Sequence, residues 1–174
     1  MMDCLPRWAA ASALLLGLSG CAALAPAQLP QADHTVVAEK TCSPLRPNLD
    51  QSWRDRDGHI RWPKEDGFAT TPVPVVLLPG MLIDRFGCDT GHFFSPKGAS
   101  FSARALPYAC KEMIYTVFRI SQPLLAWTGK AAGWFDEPGG ATQFWTDAPV
   151  SSLVVDHVIK VVPDPAGAPC GPGG

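Results

Sequence analysis

Two short stretches of the sequence carry the residue types best suited to chemistry. In residues 83–87, the charged pair Asp84 and Arg85 ends a predicted strand and precedes an aromatic residue and a glycine. In residues 134–143, two glycines precede Gln143 at the start of another predicted strand, and glycines let a backbone approach its surroundings closely. Each stretch also has a purely structural interpretation: a surface arginine at a hairpin end, and a glycine turn before a polar strand residue.

The common catalytic constellations are absent from the sequence. It contains no Gly-x-Ser-x-Gly elbow, no His-Glu-x-x-His, no P-loop and no Gly-x-Gly-x-x-Gly after a strand. Glu112 and Glu137 are the only glutamates after position 65, and they form no Glu-x-Glu pair. This argues against a retaining glycosidase or a protein-modifying ADP-ribosyltransferase, which normally need such carboxylates. The histidines are isolated from one another: His34, His59, His92 and His157.

The charge balance argues against a nucleic-acid partner. The chain has 14 lysine and arginine residues against 16 aspartate and glutamate residues, a net charge of −2. A nearly neutral chain with no basic run lacks the positive patch that nucleic-acid binding needs. It also lacks a basic amphipathic helix for membrane binding, so we expect membrane contact only through a lipid anchor.

The N-terminus predicts export. Arg7 precedes a short apolar run and small residues, the order of a signal peptide in residues 1–27. The run is too short to span a bilayer, which needs about 20 apolar residues. Residues 18–21 also resemble a bacterial lipobox, which would place a lipid on Cys21, and cleavage at residues 25–27 is the alternative. Either way we expect a secreted protein or a lipoprotein anchored at the cell surface.

Four cysteines follow the predicted signal peptide. An even number in an oxidising compartment predicts two disulfides, and the sequence does not choose among the three pairings. A metal site is the weaker alternative, because no Cys-x-x-Cys spacing occurs and the cysteines are widely separated. Their positions are Cys42, Cys88, Cys110 and Cys170.

The mature chain divides into three predicted parts. Residues 28–52 are polar or lack periodicity, which predicts a tether or N-terminal loop, and residues 163–174 form a tail rich in proline and glycine. Residues 53–162 form the domain, with one or two helical turns predicted at 149–156. Short apolar, β-branched or aromatic runs bounded by proline and glycine predict its strands at 73–78, 82–86, 92–95, 115–120, 124–128, 142–145 and 158–162.

The fold class follows from these elements. Short strands, few helices and 18 prolines predict an α+β, mainly β fold, a small single domain with a mixed or antiparallel sheet and two disulfides. The valine-rich run at 73–78 is typical of a buried strand, and residues 82–86 are its expected hairpin partner across Pro79 and Gly80. The order of the strands in the sheet does not follow from the sequence.

An ordered series of motifs resembles the tuberculosis necrotizing toxin domain family. It covers residues 53–162 and includes an Asp-Arg-aromatic-Gly motif at 84–87 and a Gly-Gly-x-x-Gln motif at 139–143. No single motif is diagnostic, whereas their order along the chain is specific. The series runs through 57–63, 66–68, 78–80, 83–87, 94–96, 104–107, Tyr115, 123–124, Gly129, 134–135 and 138–144.

The resemblance implies NAD glycohydrolase activity, in which water splits NAD(P) into nicotinamide and ADP-ribose or its phosphate. NAD(P) is then the substrate, and no cofactor is expected. Arg85 and Gln143 occupy the family's functionally important positions and are the expected catalytic residues. No clear acidic cluster matches the calcium site of fungal relatives, so no metal is assigned, and an inhibitor or immunity protein is a candidate partner. Binding of the dinucleotide is assigned to Phe86, Phe93, Tyr115, Gly139 and Gly140.

The chemistry agrees with this sparse set of residues. Nicotinamide carries a positive charge in NAD and leaves as a neutral base, so the reaction needs no general acid. The site must bind the dinucleotide and stabilise an oxocarbenium-like transition state. Phe93 and Thr116 replace a tyrosine and a histidine found in some relatives. These departures keep two alternatives open: an ADP-ribosyl transferase or cyclase, and a catalytically degenerate surface binding module.

Overall fold

The computed structural model describes residues 40–171, so the predicted signal peptide, the lipid site at Cys21 and residues 28–39 of the tether lie outside the described residues. The described chain is built on a seven-stranded sheet. One helix, α1 (Val150–Val155), and four single-turn 3-10 segments accompany it. The strands are β1 (Val73–Leu77), β2 (Leu82–Phe86), β3 (Phe93–Pro96), β4 (Tyr115–Ile120), β5 (Leu124–Lys130), β6 (Thr142–Trp145) and β7 (Ile159–Val162).

The sheet is antiparallel throughout its described pairings. Its order is β1-β5-β6-β3-β2-β4-β7, so β2 and β3 lie near the centre and β1 and β7 form the edges. The predicted class, a small single domain that is mainly β with an antiparallel sheet, short helices and two disulfides, is confirmed. The predicted helical turns at 149–156 are also confirmed by α1.

Two expectations about the first strand are wrong. β1 pairs with β5 and not with β2. The turn between β1 and β2 contacts the end of β4, where the Gly80 amide donates a hydrogen bond to the Ile120 carbonyl. β1 is also an exposed edge strand, because Leu77 is its only fully buried residue and Val73 is 59% exposed. The sequence already contained a sign of this, since Pro74 cannot donate to a ladder and suits an edge.

The core has two parts. The larger lies under α1, where Val150 and Leu153 pack among the buried side chains of the central strands. Within it, Phe94 and Phe118 meet edge to face at 5.9 Å, the arrangement that aromatic quadrupoles favour. The smaller cluster lies beside the cavity described below and consists of Phe86, Phe101, Cys110 and Met113.

The two disulfides are Cys42–Cys88 and Cys110–Cys170, which settles the pairing that the sequence left open. The bonded cysteines are 46 and 60 residues apart in sequence. In the chain-entropy model, loops of this size stabilise a fold by about 4 kcal/mol each.

The first described residues pack on the domain. Leu49 is only 6% exposed, and Thr41 and Leu45 form isolated bridges with Met113 and Tyr108. Among residues 40–171, none of the helices is long and apolar enough to cross a bilayer.

Candidate functional site

A cavity of about 510 Å³ opens beside the centre of the sheet. β2 and β3 form its floor, and loops at 42–43, 62–67 and 104–108 form its walls. Four of the residues predicted from the sequence line it together: Arg85, Phe86, Phe93 and Gln143.

Arg85 is a buried cation with unused hydrogen-bonding capacity. Its residue is 7% exposed, and within the described chain its Nε and Nη1 atoms have no hydrogen-bond partner. Burial lowers the pKa of the guanidinium to about 10, and the charge of Asp89 partly offsets this. Arg85 therefore remains charged at neutral pH, and a buried charge without partners is costly unless a ligand supplies them. The guanidinium also lies 5.9 Å from the centre of the Phe94 ring.

The space that the Arg85 guanidinium occupies depends on two neighbouring glycines, Gly87 and Gly91. A Cβ built on Gly91 would overlap the guanidinium, and one on Gly87 would lie 3.3 Å from Nη2. Gly87 also has a φ of 101°, a conformation that L side chains rarely adopt. The loop between β2 and β3 can therefore enclose the arginine only because these two positions lack side chains.

Asp84 does not neutralise Arg85 although the two are adjacent in sequence. Successive residues of a strand point to opposite faces, and Asp84 is completely buried away from the cavity. Its carboxylate accepts hydrogen bonds from the Gly98 amide at 2.8 Å, the Tyr115 hydroxyl at 2.7 Å and the Arg104 guanidinium. Arg104 thus compensates Asp84, and Arg85 keeps its charge for the cavity.

Arg104 supplies a second guanidinium at the cavity wall. It is 8% exposed, lines the cavity and lies 5.1 Å from the centre of the Phe86 ring. Its Nε and Nη2 atoms donate to the Ala99 carbonyl. The charge of this side chain is fixed in place by the buried network around Asp84.

Gln143 is oriented by a backbone carbonyl. Its Nε2 atom donates to the Asp66 carbonyl oxygen at 3.3 Å. Because a carbonyl only accepts hydrogen bonds, the amide nitrogen must face it, and the Oε1 atom is left as an acceptor for a ligand. Asp66 lies in a turn in which Glu65, Asp66 and Gly67 all have left-handed backbone conformations, with φ of 52°, 50° and 78°.

Exposed aromatic side chains border the cavity. Trp62 is 53% exposed and Phe93 is 38% exposed, and both line it. Trp62 is supported from behind by the fully buried Phe135, edge to face at 5.4 Å. Such surfaces suit the flat faces of nucleotide bases.

Tyr115, Gly139 and Gly140 lie outside the residues that line this cavity. Tyr115 packs behind Phe86 at 4.9 Å, and burial followed by its hydrogen bond to Asp84 raises its pKa. A Cβ on Gly139 would lie 2.6 Å from backbone atoms of Ala132 and Gly133, so this glycine allows two segments of backbone to pack closely. A direct contact between these three residues and a dinucleotide stays a prediction.

Sequence reasoning did not single out three residues that line the cavity: Trp62, Asp66 and Arg104. All three lie inside motif stretches that carry the family resemblance, at 57–63, 66–68 and 104–107. The motifs alone do not indicate which of their side chains face a ligand, because that depends on how separate loops converge.

One exposed loop outside the cavity brings together possible metal ligands. Asp55, Asp57 and His59 place their ligand atoms within 4.8 Å of one another, a grouping that was not predicted from the sequence. The Asp55 carboxylate accepts from the backbone amides of Asp57 and His59, a local turn that accounts for the grouping without an ion. We assign no metal to it.

The fold and the cavity define a small, disulfide-bonded β domain whose cavity is lined by a buried arginine with unpartnered nitrogens. The family model described as "Tuberculosis necrotizing toxin" matches residues 76–162, and the chain belongs to this family. The resemblance noted in the sequence is thereby confirmed.

Two known proteins extend the comparison. The "Conidial surface nicotinamide adenine dinucleotide glycohydrolase nadA" of Aspergillus fumigatus is 32% identical over 117 residues, covering 60% of this chain and 50% of that protein. The chain thus spans about half the length of this curated relative. The solved structure of tuberculosis necrotizing toxin complexed with its immunity factor IFT is similar with a TM-score of 0.51 and 19% identity, over 59% of this chain and 62% of that chain. At this identity the likeness shows the fold alone.

Proposed function

We propose that this chain is an exported NAD(P) glycohydrolase, which hydrolyses the bond between nicotinamide and ribose. The observation that carries the proposal is the buried guanidinium of Arg85, which has two nitrogens without partners and lines the same cavity as Gln143. Membership of the toxin family and the activity named for the Aspergillus relative support this choice of substrate.

Arg85 binds the diphosphate of the dinucleotide. Its planar fork matches two phosphate oxygens, and its free nitrogens gain the hydrogen bonds that the protein does not supply. Arg104 places a second guanidinium at the wall of the cavity, but its charge is paired with the buried Asp84. The uncompensated charge of Arg85 is therefore the main attraction for the diphosphate.

Gln143 acts at the reacting end of the dinucleotide. Its free Oε1 atom accepts a hydrogen bond from the attacking water or from a ribose hydroxyl. The bond between C1′ and the nicotinamide nitrogen breaks, and its electron pair stays on nicotinamide, which leaves as a neutral base. The water oxygen bonds to C1′ and releases a proton to solvent, giving ADP-ribose. Phe86 and Phe93 provide flat apolar surfaces beside the departing ring.

Export and regulation form the second part of the proposal. The signal-like N-terminus and the surface location named for the Aspergillus relative support secretion or attachment at the cell surface, with a lipid on Cys21 as the anchor. Membership of the toxin family makes a protein inhibitor a candidate partner. Such an inhibitor is expected to block NAD hydrolysis when added to the purified protein.

The decisive experiment measures NAD loss together with nicotinamide release. The full chain is produced through an oxidising secretory route and compared with Arg85→Ala and Gln143→Ala. The matched controls are Arg119→Ala and Gln122→Ala, which change an exposed arginine and an exposed glutamine that do not line the cavity. We expect turnover in the wild type and both controls and a loss of about 100-fold or more in both site variants.

The products decide among the alternatives. Equal amounts of ADP-ribose and nicotinamide support hydrolysis, whereas a cyclic or protein-linked product would indicate a cyclase or a transferase. A folded, oxidised protein that binds NAD and leaves it intact would contradict the proposal and favour a binding module.

A further inference from the structure

We propose that the carboxylate of Asp66 is a further catalytic residue, which stabilises the positive charge on the ribosyl group as nicotinamide leaves. This inference rests on the proposed glycohydrolase function and assigns a role in it to a residue outside the two expected catalytic positions.

The charges that line the cavity are unequally distributed. Among the described residues that line it, the cations are Arg85 and Arg104, and the only carboxylate belongs to Asp66. Arg104 is already paired with the buried Asp84, so the uncompensated cation of the cavity is Arg85. Arg85 suits the diphosphate, yet its positive charge opposes an oxocarbenium ion in the same cavity, and a carboxylate that lines the cavity offsets that repulsion.

The position of Asp66 links it to Gln143. The backbone carbonyl of Asp66 accepts the Nε2 hydrogen bond of Gln143, so the two residues are neighbours at the wall of the cavity. Within residues 40–171 the Asp66 carboxylate accepts no hydrogen bond and forms no ion pair, and it is exposed. Its charge is therefore not already compensated by the protein.

The turn that carries Asp66 is strained and firmly anchored. Non-glycine residues seldom adopt the left-handed conformation, and here Glu65 and Asp66 adopt it in succession. The turn is closed by hydrogen bonds from the Gly67 amide to Lys64 and from the Ala132 amide to the Gly67 carbonyl, and Phe68 behind it is 4% exposed. Strain of this kind is maintained where the surrounding structure fixes a functional group.

The reaction step leaves Asp66 chemically unchanged. When the bond between C1′ and nitrogen breaks, the positive charge of the nicotinamide ring moves to C1′ and the ring oxygen of ribose. The carboxylate lowers the energy of that charge without forming a bond or taking a proton, and water then adds to C1′ and loses its proton to solvent. Because the nicotinamide ring of the oxidised dinucleotide is already cationic, Asp66 also favours binding of NAD over its reduced form.

The test compares Asp66→Asn with Glu65→Gln. Asparagine keeps the size of aspartate and tolerates the left-handed conformation, so Asp66→Asn removes mainly the charge. Glu65→Gln removes an equal charge from the adjacent residue of the same turn, which does not line the cavity. We expect kcat to fall about 10- to 100-fold in Asp66→Asn, with a smaller change in KM, and to stay within about twofold in Glu65→Gln.

Equilibrium binding gives a second measurement that does not depend on turnover. Asp66→Asn should weaken binding of carba-NAD⁺, a non-hydrolysable cationic analogue, more than binding of NADH, whereas Glu65→Gln should change neither. Unchanged kcat together with an unchanged ratio of the two affinities in Asp66→Asn would overturn the role of Asp66, while wild-type hydrolysis would leave the proposed function intact. If the wild type fails to hydrolyse NAD, the function is rejected, and the catalytic role of Asp66 falls with it.

Discussion

Gly91 contacts the guanidinium of Arg85 so closely that a Cβ at position 91 would overlap its Nη2 atom. The relationship explains how a strand that ends in an arginine can carry that side chain into a nearly closed space. The loop passes over the guanidinium and buries it, which leaves two of its nitrogens without a hydrogen-bond partner among the described residues. The burial of the Arg85 guanidinium therefore depends on both residues.

Gly91→Ala should therefore inactivate the protein nearly as strongly as Arg85→Ala, because the methyl group displaces the guanidinium. Turnover of NAD is the measurement. Gly58→Ala is the matched control, since Gly58 has a φ of 85° and a Cβ added to it would have no other atom within 4 Å. The control should lose about 1 kcal/mol of stability and retain activity. Full activity in Gly91→Ala would show that the position of Arg85 is unimportant.

Arg85→Met should stabilise the fold while abolishing NAD turnover. The substitution keeps an unbranched apolar stem and removes a buried charge with unsatisfied nitrogens, so we expect a gain of about 1–3 kcal/mol in the free energy of unfolding. Urea unfolding of both proteins at neutral pH measures it. Arg119→Met, at an exposed arginine, should change stability by less than about 0.5 kcal/mol. A destabilised Arg85→Met protein would indicate that Arg85 contributes to folding.

The burial of the Arg85 guanidinium also predicts how the stability of the fold and the binding of ligand depend on pH. The pKa of Arg85 is lowered to about 10 in the folded state and returns to its higher ordinary value when the chain unfolds. Above pH 10 the unfolded state therefore binds more protons than the folded state, so the Arg85 contribution raises stability as pH increases beyond about 10. Binding of ADP-ribose should weaken over the same range as the cation is lost. The difference between wild type and Arg85→Met isolates both effects, and identical pH profiles would contradict them.

Much of the architecture could be predicted from the sequence because short apolar runs bounded by proline and glycine define strands locally. The strands at 115–120 and 142–145 match the structure, and the family motifs identified Arg85 and Gln143. Pairing could not be predicted in this way. β1 joins β5 across more than 40 residues because Leu77 and Leu124, which face each other in the register, both enter the core.

Contacts within the candidate site likewise could not be predicted from local sequence patterns. Asp84 and Arg85 are one charged pair in the sequence, yet the alternation of the strand separates their side chains and pairs Asp84 with Arg104 from another loop. The place of Asp66 depends on a left-handed turn meeting β6 at Gln143. Such encounters between distant segments depend on tertiary packing, which local propensity and periodicity do not specify.

Tyr115→Phe tests whether the buried network behind the cavity supports the site. The change removes the hydroxyl that donates to Asp84 at 2.7 Å and should cost about 1–2 kcal/mol in the free energy of unfolding. Burial and the bond to Asp84 raise the pKa of Tyr115, so its contribution is complete below pH 10 and is lost as pH rises further. The variant should show less of this alkaline loss. Tyr108→Phe is the comparison: burial also raises the pKa of Tyr108, but this residue has no bond to Asp84, so the difference between the two variants isolates that bond. Equal effects in both variants would contradict the role of the network.

The two disulfides should differ in their effect on catalysis although they should contribute similarly to stability. Their sequence separations of 46 and 60 predict losses of about 4 kcal/mol each when they are removed. Cys42 and Cys88 both line the cavity, and Cys88 follows Gly87 directly, whereas Cys110 and Cys170 pack in the cluster beside it. Replacing the first pair by serine should therefore raise the KM for NAD at temperatures where the protein remains folded.

Replacing Cys110 and Cys170 by serine should lower the melting temperature and leave the KM of the folded protein close to that of the wild type. Steady-state kinetics at low temperature, with circular dichroism to verify folding, separates the two effects. Full reduction of the wild type removes both crosslinks and about 4 kcal/mol of stability for each, so the protein is expected to unfold and to be inactive in a reducing cytosol. An unchanged KM after removal of the Cys42–Cys88 disulfide would show that the loop around Arg85 is fixed by Gly91 and its neighbours without the crosslink.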